Sequence, residues 1–325
     1  MRVYQSAIIA TILAAALMTV PARAQTQTYP NRTIVFVVAY APGGTGDVVA
    51  RMIASKLGPA LGQTIVVENR AGASGAIGTQ YVARSAPDGY TILIGQTAEI
   101  AINQNLHKDL GYNPAVDLLP VALGADAPLA MVVPPNAPYS TLDGLLKAAH
   151  ATTSGLTFAS AGIGTPGHIA GDFLRVRTKT NLLHVPYKGD ALKDVIAGHV
   201  DFFFSGYPAA IPLVHSGKLR ILAISSEQRL ASIPDVPTVR ELTDIKEFDL
   251  TVWQGLFLPR GTPKEIVNRL NTATNEILAQ PDIKKKLSEA GAYVRPMSVD
   301  QFSAFVEAQR QKYKQIIKET GITAE

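Results

Sequence analysis

A glycine-rich turn between an apolar run and a helical pattern constrains this chain more than any other feature. The run from Ile34 to Ala39 is short, largely β-branched and unbroken by polar side chains, which predicts a parallel strand covered on both faces. Beyond it, Gly43, Gly44 and Gly46 remove Cβ atoms where a ligand could approach the backbone, and apolar residues then return at helical spacing. The pattern therefore predicts a buried strand, an open loop and a helix that begins near Thr45 or Gly46.

The first turn of that helix is a candidate anion site. Its backbone N–H groups have no partners inside the helix, and the helix dipole adds partial positive charge, so the turn suits a carboxylate or a phosphate. No Lys-Ser or Lys-Thr pair follows the glycines, and Asp47 would repel a polyphosphate, so a nucleotide P-loop is not expected. A glycine turn can also be only a tight connection, with Asp47 bracing the loop and the helix dipole.

The N-terminus has the pattern of a secretory signal, which we predict over residues 1–24. Arg2 precedes an apolar core from Ala7 to Val20, and Ala22-Arg23-Ala24 forms an A-x-A cleavage site. The core is shorter than the roughly 20 residues that a spanning helix needs. Cleavage after Ala24 would remove two arginines and no acid from the 325-residue chain, lowering its net charge of +4 to +2. We expect an exported periplasmic protein that binds no nucleic acid.

The composition excludes several classes of site. The chain has no cysteine, so disulfides, thiolate metal sites, a catalytic thiol and a lipid-modified N-terminal cysteine are excluded. None of its six histidines lies four residues from another, and we expect no metal and no cofactor. With 47% hydrophobic residues and a length above that of a usual domain, the mature chain is expected to form two domains.

Strands alternating with helices predict a parallel α/β sheet whose ligands lie at the carboxyl ends of the strands. The predicted strands are Ile34–Ala39, Gln63–Asn69, Tyr90–Gly95, Leu156–Ser160, Leu182–Tyr187, Val200–Phe204 and Leu219–Ser225. Two further extended stretches, Val121–Pro135 and Val252–Pro259, are predicted to cross between lobes and to permit a hinge. We assign residues 25–126 and 250–325 to lobe 1 and residues 127–249 to lobe 2. The C-terminal helices are predicted from a Thr262 cap to about Leu278, then at Pro281–Glu289 and Val299–Thr320.

A second glycine-rich turn follows the strand that ends at Ser160. Gly162 to Gly167 matches G-x-G-x-x-G, and Asp190 lies at about the distance that a dinucleotide-binding fingerprint requires. A mid-chain position and export argue against a nicotinamide enzyme, but a second acid-binding helix start remains. His168 could donate to a ligand or, with more support, pack at that helix start. The Gly72–Gly75 stretch lacks the G-x-S-x-G nucleophile elbow, so a hydrolase is unsupported.

Taken together, six motifs resemble the Bug receptors, the extracytoplasmic solute-binding proteins of tripartite tricarboxylate transporters. These motifs are Ala41-Pro42-Gly43-Gly44 with Asp47, Val67 to Gly75, Ala86 to Tyr90, Gly162 to His168, His184 to Gly189, and Asp235 to Thr238. The resemblance implies a two-lobe periplasmic binding protein fold of type II that closes on a small di- or tricarboxylate or aromatic acid. It also implies a monomer that delivers the acid to membrane permease subunits, with carboxylate capture by loop amides, hydroxyls and ordered water. The alternative is an exported enzyme acting on a carboxylated small molecule.

The resemblance assigns ligand-binding residues to both lobes. In the first lobe these are Tyr40, Ala41, Pro42, Gly43, Gly44 and Asp47, with Gly95, Gln96 and Thr97 nearby. In the second lobe they are Ser160, Ala161, Gly162, Thr165 and His168. The chain departs from the family pattern at Phe204, where many relatives carry an aspartate. Phe204 should disfavour an amino-bearing ligand and favour an aromatic or aliphatic acid; the equally supported alternative is a core residue of a buried strand.

Overall fold

The computed structural model describes residues 29–187, 191–289 and 291–323. The predicted signal peptide and Asp190 of the dinucleotide-like pattern lie outside these ranges. Within them, no helix combines the length and apolarity needed to cross a membrane.

Strands and helices alternate along most of the described chain. The strands are β1 (Ile34–Val38), β2 (Ile65–Asn69), β3 (Thr91–Gln96), β4 (Leu118–Val133), β5 (Leu156–Ser160), β6 (Leu182–Pro186), β7 (Phe202–Gly206), β8 (Arg220–Ile224) and β9 (Thr251–Pro259). The α-helices are α1 (Thr45–Leu61), α2 (Ala76–Ala83), α3 (Leu142–Ala151), α4 (Pro166–Thr178), α5 (Ala191–Ile196), α6 (Tyr207–His215), α7 (Val239–Leu242), α8 (Lys264–Leu278), α9 (Pro281–Glu289) and α10 (Val299–Thr320). Short 3₁₀ segments cover Ala73–Gly75 and Asn103–Asn105, and a π-helical turn covers Ala98–Ile102.

The strands form a mixed sheet, so the expectation of a wholly parallel sheet is wrong. Their order is β2-β1-β3-β9-β4-β7-β5-β6, with β8 also paired to β4. Pairing is parallel among β2, β1 and β3 and among β6, β5 and β7, where helices connect successive strands. It is antiparallel wherever β9 or β4 is a partner. The parallel pattern holds within each lobe and is interrupted by the strands that join the lobes.

Two long strands connect the lobes, as predicted. The first part of β4 pairs with β9 as far as Pro128, and its last part, from Leu129, pairs with β7 and β8 of the second lobe. After α7 the chain returns through β9, whose first residue, Thr251, pairs with Pro128. The two-lobe α/β fold of a periplasmic binding protein is therefore confirmed, and the exact lobe boundaries stay a prediction.

Strand β1 is buried on both faces, as its unbroken apolar sequence predicts. Phe36 and Val38 pack with apolar residues of α1 and α8, whereas Val37 belongs to a second core cluster on the other face. A helix follows from Thr45, the predicted start. The first loop (residues Tyr40 to Gly44) is therefore held between two elements anchored in the core.

The predicted cap of α8 is wrong, whereas the predicted bounds of α9 and α10 are confirmed. The α8 N-cap is Pro263, with no side-chain cap, because the Thr262 hydroxyl donates to the Pro259 carbonyl oxygen at 2.8 Å instead. By contrast, Ser298 and Gln301 form a reciprocal capping box at the start of α10.

Candidate functional site

A cavity of about 760 Å³ lies between the lobes. Its walls come from the carboxyl ends of strands and the helix starts that follow them, as expected for an α/β fold. The predicted residues that line it are Tyr40, Ala41, Pro42, Gly43, Gly44, Gln96, Ala161, Gly162, Thr165 and Phe204. The predicted residues absent from the lining are Asp47, Gly95, Thr97, Ser160 and His168.

Sequence reasoning missed a large part of the wall. The missed lining residues are Thr45, Gly46, Ala71, Gly72, Ala73, Ser74, Gly75, Ala98, Leu129, Ile163, Pro166, Gly167, Pro186, Tyr187, Ala191, Leu192, Phe203, Ser205, Gly206, Ala209, Leu213 and Val252. The stretch from Ala71 to Gly75, here called the Ser74 loop, carried a usable signal. It is a glycine-rich turn at the carboxyl end of β2, where a parallel sheet places ligand loops.

Four helices whose N-cap residues are described begin at the cavity, and none of the four has a side-chain cap. Their N-cap residues are Gly44, Gly75, Thr165 and Gly206. Away from the cavity, three helices are capped by the side chains of Thr141, Thr238 and Ser298, and α8 is uncapped. The first N–H groups of a helix need an acceptor, and a side-chain cap would occupy one of them. The cavity therefore brings together helix starts that no side chain caps, although the Ala76 N–H bonds to the Ala73 carbonyl oxygen and Pro166 and Pro208 have no N–H to offer.

No described residue of the lining carries a formal charge. Asp47 is buried beside the first loop, where its carboxylate accepts from the Gly43 N–H at 3.0 Å and from Arg51 and Asn69. Burial opposes its ionisation, but the hydrogen bonds from Arg51, Gly43 and Asn69 outweigh it and hold the Asp47 pKa below its usual range. Asp47 therefore shapes the loop and does not line the cavity. Among the described residues, no group of three or more histidines and acids could hold a metal ion.

Gln96 is the polar side chain that the end of β3 contributes. It is only 8% exposed, and no hydrogen bond of its amide is found within the described chain. A Cβ at Gly46 would lie 2.7 Å from its Nε2, so the amide lies against the first turn of α1. Its neighbours serve the fold: Gly95 packs against Phe257, and the Thr97 hydroxyl bonds to the β9 backbone.

In the second lobe, the side chains of Ser160 and His168 bond to the backbone of the Gly162–Gly167 loop and do not line the cavity. The Ser160 Oγ is fully buried, accepts from the Gly162 N–H at 3.1 Å and lies 2.7 Å from His184 Nε2. His168 accepts from the Gly164 N–H at 3.0 Å through Nδ1, and its Nε2 lies 2.8 Å from Asp172. The packing role of His168 is therefore the one that its contacts support.

The two histidine rings stack with their centroids 3.8 Å apart. Burial, and then the neighbouring His168, lower the pKa of His184 to about 4. His184 is therefore neutral at physiological pH. It can form its hydrogen bond with Ser160 without placing a charge beside the cavity.

Phe204 is a core residue as well as a lining residue. Its side chain is fully buried, and its ring lies 6.0 Å from that of Phe202 and 5.7 Å from that of Phe248. Phe203, its neighbour on β7, is 7% exposed and also lines the cavity. Phe203, together with Leu129 and Leu213, gives the second-lobe side of the cavity an apolar wall, whereas the Phe204 ring packs in the core.

The lobes touch through the Ser74 loop. The Ser74 hydroxyl donates to the Ile163 carbonyl oxygen at 2.6 Å, and both residues line the cavity. Ser74 adopts a left-handed backbone conformation with φ of 48°, which is unfavourable for a residue with a Cβ.

Comparison with known proteins agrees with this geometry. The sequence model described as "Tripartite tricarboxylate transporter family receptor" (TctC) matches residues 49–322. Protein BugT of Bordetella pertussis is 35% identical over 318 residues, which are 97% of this chain and 97% of BugT. The structure of R. palustris Rpa4515 with adipate has a TM-score of 0.88 and 33% identity, and the match covers 91% of this chain and 99% of that one.

MatC (Rpa3494) from Rhodopseudomonas palustris, solved with bound malate, has a TM-score of 0.84 and 33% identity. That match covers 89% of this chain and 100% of the MatC chain. With the family match extending over most of its length, this chain belongs to the receptor family of tripartite tricarboxylate transporters.

Proposed function

We propose that this chain is a periplasmic solute-binding protein that captures a small organic carboxylate and delivers it to a tripartite tricarboxylate-type permease. The observation that carries the proposal is the set of uncapped helix starts around a cavity whose described lining has no charge. Backbone N–H groups and helix dipoles favour an anion there without requiring an arginine clamp. Family membership supports the same role.

The apolar wall supports a narrower ligand class. Leu129, Leu213 and Val252 contribute aliphatic surface, and Phe203 contributes an aromatic ring. An acid whose body is aliphatic or aromatic can bury that body against these four side chains, which offer no hydrogen-bonding group to a hydroxylated acid. Adipate, which is bound to the R. palustris relative, meets this description better than malate. We therefore propose an extended aliphatic or aromatic acid as the ligand.

Capture is proposed to involve closure of the lobes. Contacts would come from the first loop in one lobe and from Ala161 to Thr165 in the other, so both can reach the ends of one acid only in a closed arrangement. The joining strands β4 and β9 would absorb the movement near Pro128 and Thr251. We retain 25–126 with 250–325, and 127–249, as the proposed lobes.

The alternative of an exported enzyme has less support. Ser160 and His184 lie at the distance of a nucleophile and its base, but Ser160 is fully buried and does not line the cavity. Its hydroxyl also contacts the Gly162 N–H and carbonyl oxygen, which fits a loop-building role. Family and structural relatives are receptors.

A thermal-shift screen with chemical analysis tests the proposal. The mature protein is heated with adipate, benzoate, malate and citrate, each over a range of concentrations. A ligand of the folded state raises the melting temperature by mass action, and a receptor returns it chemically unchanged. We expect the largest shift with adipate or benzoate. No shift with any of the four acids, or turnover detected by mass spectrometry, would contradict the receptor function.

We also propose that the protein is exported by cleavage after Ala24 and works as a monomer. The mass of the protein recovered from the periplasm tests the cleavage site, and light scattering tests the monomer.

A further inference from the structure

A buried carboxyl group lies behind the first loop and takes no part in the capture of the acid described above. Glu99 belongs to the π-helical turn that follows β3, and its side chain has no exposed surface. Its Oε1 accepts from the Gln96 backbone N–H at 2.7 Å, and its Oε2 lies 3.0 Å from the Tyr40 hydroxyl. Both Tyr40 and Gln96 line the cavity, so Glu99 is one residue removed from the ligand.

The hydrogen count at Tyr40 indicates that Glu99 is protonated. The Tyr40 hydroxyl has one hydrogen, yet it lies 3.0 Å from Glu99 Oε2 and 3.0 Å from the Ser74 carbonyl oxygen. A carbonyl oxygen can only accept, so both contacts are full hydrogen bonds only when the acid donates to Tyr40 and Tyr40 donates to Ser74. If Glu99 were ionised, the Tyr40 hydroxyl would donate to its carboxylate and no longer to the Ser74 carbonyl oxygen. That oxygen would then keep one donor, the Asn103 side-chain amide at 2.9 Å.

The backbone N–H groups of Gln96 and Glu99 and the Tyr40 hydroxyl favour the ionised form of Glu99, but burial of the carboxyl outweighs them. Tyr112 donates its hydroxyl to the Glu99 backbone carbonyl oxygen at 2.9 Å and leaves the carboxyl alone. Arg310 of α10 reaches the same turn, but it donates to the Ile100 carbonyl oxygen and lies 3.5 Å from Glu307. With no described cation at the carboxyl, burial raises the pKa of Glu99 to about 8.

Ser74, at the end of this hydrogen-bond chain, joins the two lobes. Its hydroxyl donates to Ile163 of the second lobe, and its backbone is held in the left-handed region. The Ser74 loop also lies close to the acid: a Cβ at Gly75, which glycine lacks, would lie 3.0 Å from Glu99 Oε2 and 3.1 Å from the Tyr40 hydroxyl. A change in the direction of the Tyr40 hydrogen therefore acts directly on the loop that bridges the cleft.

We propose that Glu99 is a positioning residue that, as a neutral acid, holds the Ser74 loop against the second lobe through Tyr40, and that its ionisation releases this loop. The release of the Ser74 loop on ionisation of Glu99, which is the structural part of the proposal, needs no ligand. Its consequence for binding rests on the proposed function: capture of the acid weakens as the solution becomes alkaline.

Two measurements without ligand test the structural part. The infrared spectrum at pH 7 is compared between wild type and Glu99→Gln, whose amide can donate to Tyr40 and accept from Gln96 as the neutral acid does. A protonated-carboxyl band present only in the wild type is expected, and its absence overturns the proposal.

Hydrogen exchange of peptides covering residues 71–75, corrected for intrinsic rates, should show protection lost between pH 7 and pH 9 in the wild type and retained in Glu99→Gln. Equal loss in both proteins overturns it.

Two further variants keep the result interpretable. Glu276→Gln removes an exposed acid of α8 and should behave as the wild type in both measurements. Tyr40→Phe removes the hydroxyl that links Glu99 to the Ser74 carbonyl oxygen. The amides of the Ser74 loop should therefore be equally unprotected from exchange at both pH values. If Tyr40→Phe keeps wild-type protection with its pH dependence, Glu99 does not act through Tyr40 and the proposal is wrong.

Calorimetry with adipate tests the consequence for binding. Only the neutral form of Glu99 holds the loop, so wild-type affinity should fall about tenfold at pH 9, one unit above the Glu99 pKa of about 8, while Glu99→Gln changes little. A parallel fall in both proteins overturns the link between Glu99 and capture. If adipate, benzoate and malate all fail to bind at any pH while the loop still responds, the proposed function fails and the loop mechanism stands.

Discussion

The hydroxyl of Ser74 donates a 2.6 Å hydrogen bond to the carbonyl oxygen of Ile163, and this bond joins the two lobes at the wall of the cavity. The same residue has φ of 48°, a conformation that disfavours any side chain with a Cβ. Ser74 thus combines a favourable contact across the cleft with local backbone strain. Substitutions at this position can separate the two effects.

We expect Ser74→Gly to be more stable to unfolding than Ser74→Ala by roughly 1 kcal/mol. Both variants lose the hydrogen bond to Ile163, but only glycine also relieves the left-handed strain. Urea denaturation of both variants beside the wild type measures the difference. Equal stability of the two variants would show that the backbone at this position is not strained.

Thr165→Val should destabilise the ligand-free protein by about 0.5–1.5 kcal/mol, because an ordinary hydrogen bond is lost. The Thr165 hydroxyl donates to the Gly162 carbonyl oxygen at 2.7 Å, and a ligand carboxylate cannot supply another hydrogen. Thr165→Ser, which keeps the hydroxyl, should restore stability. Urea unfolding without ligand is the measurement. A variant with wild-type stability but weakened acid binding would place the hydroxyl on the ligand instead.

Acid should destabilise the protein through His184. Its folded-state pKa is about 4 against an ordinary value of 6.5, because of burial and of His168. The unfolded chain therefore binds the proton more tightly, and stability falls as the pH drops from 6.5 towards 4. Replacing His184 with Gln should flatten this part of the stability profile. Denaturation series between pH 4 and pH 7 compare the two proteins, and identical slopes would exclude His184 as the cause.

Saturating ligand should lower the radius of gyration, because the acid favours the arrangement in which Ser74 contacts Ile163 over arrangements opened around β4 and β9. Trp253 is a poor reporter of this movement, since its indole is fully buried among Phe257, Phe302 and Phe305. Small-angle scattering is therefore the method of choice. An unchanged radius with binding confirmed by calorimetry would favour a rigid, preformed cavity.

Local patterns in the sequence predicted well the strands and helices that flank the loops of the site. The apolar run into β1, the glycines after it and the start of α1 near Thr45 all follow from short-range rules of strand and helix formation. The same holds for the strand and helix around Gly162. The lobe-joining strands were predicted as extended stretches, but their antiparallel pairing was not, because it depends on contacts such as Gln96 with Gln254 that are distant in sequence.

The direction of side chains at the site was harder to predict. Ser160 and His168 follow a strand end, as ligand residues often do, yet they bond to the backbone of their own loop and to neighbours such as His184. Residues such as Ser74 and Phe203 reach the cavity only because separate strand ends meet there. Glu99 gave no local signal, since its significance comes from burial and from the hydrogen count at Tyr40.

Calorimetry that compares an acid with its neutral amide tests the central claim most directly. The claim is that backbone N–H groups of uncapped helix starts bind a carboxylate, and Gly44→Val should block their approach. A Cβ at Gly44 meets only the Ala41 carbonyl oxygen at 3.5 Å, so the variant should fold. Ala60→Val, on the exposed far end of α1, is the matched control.

Wild type and Ala60→Val are predicted to bind adipate or benzoate and not the corresponding amides. Gly44→Val should bind the acid at least tenfold more weakly, since a charge-assisted hydrogen bond contributes about 1.5–3 kcal/mol. Equal binding of acid and amide, or wild-type affinity in Gly44→Val, would contradict the account.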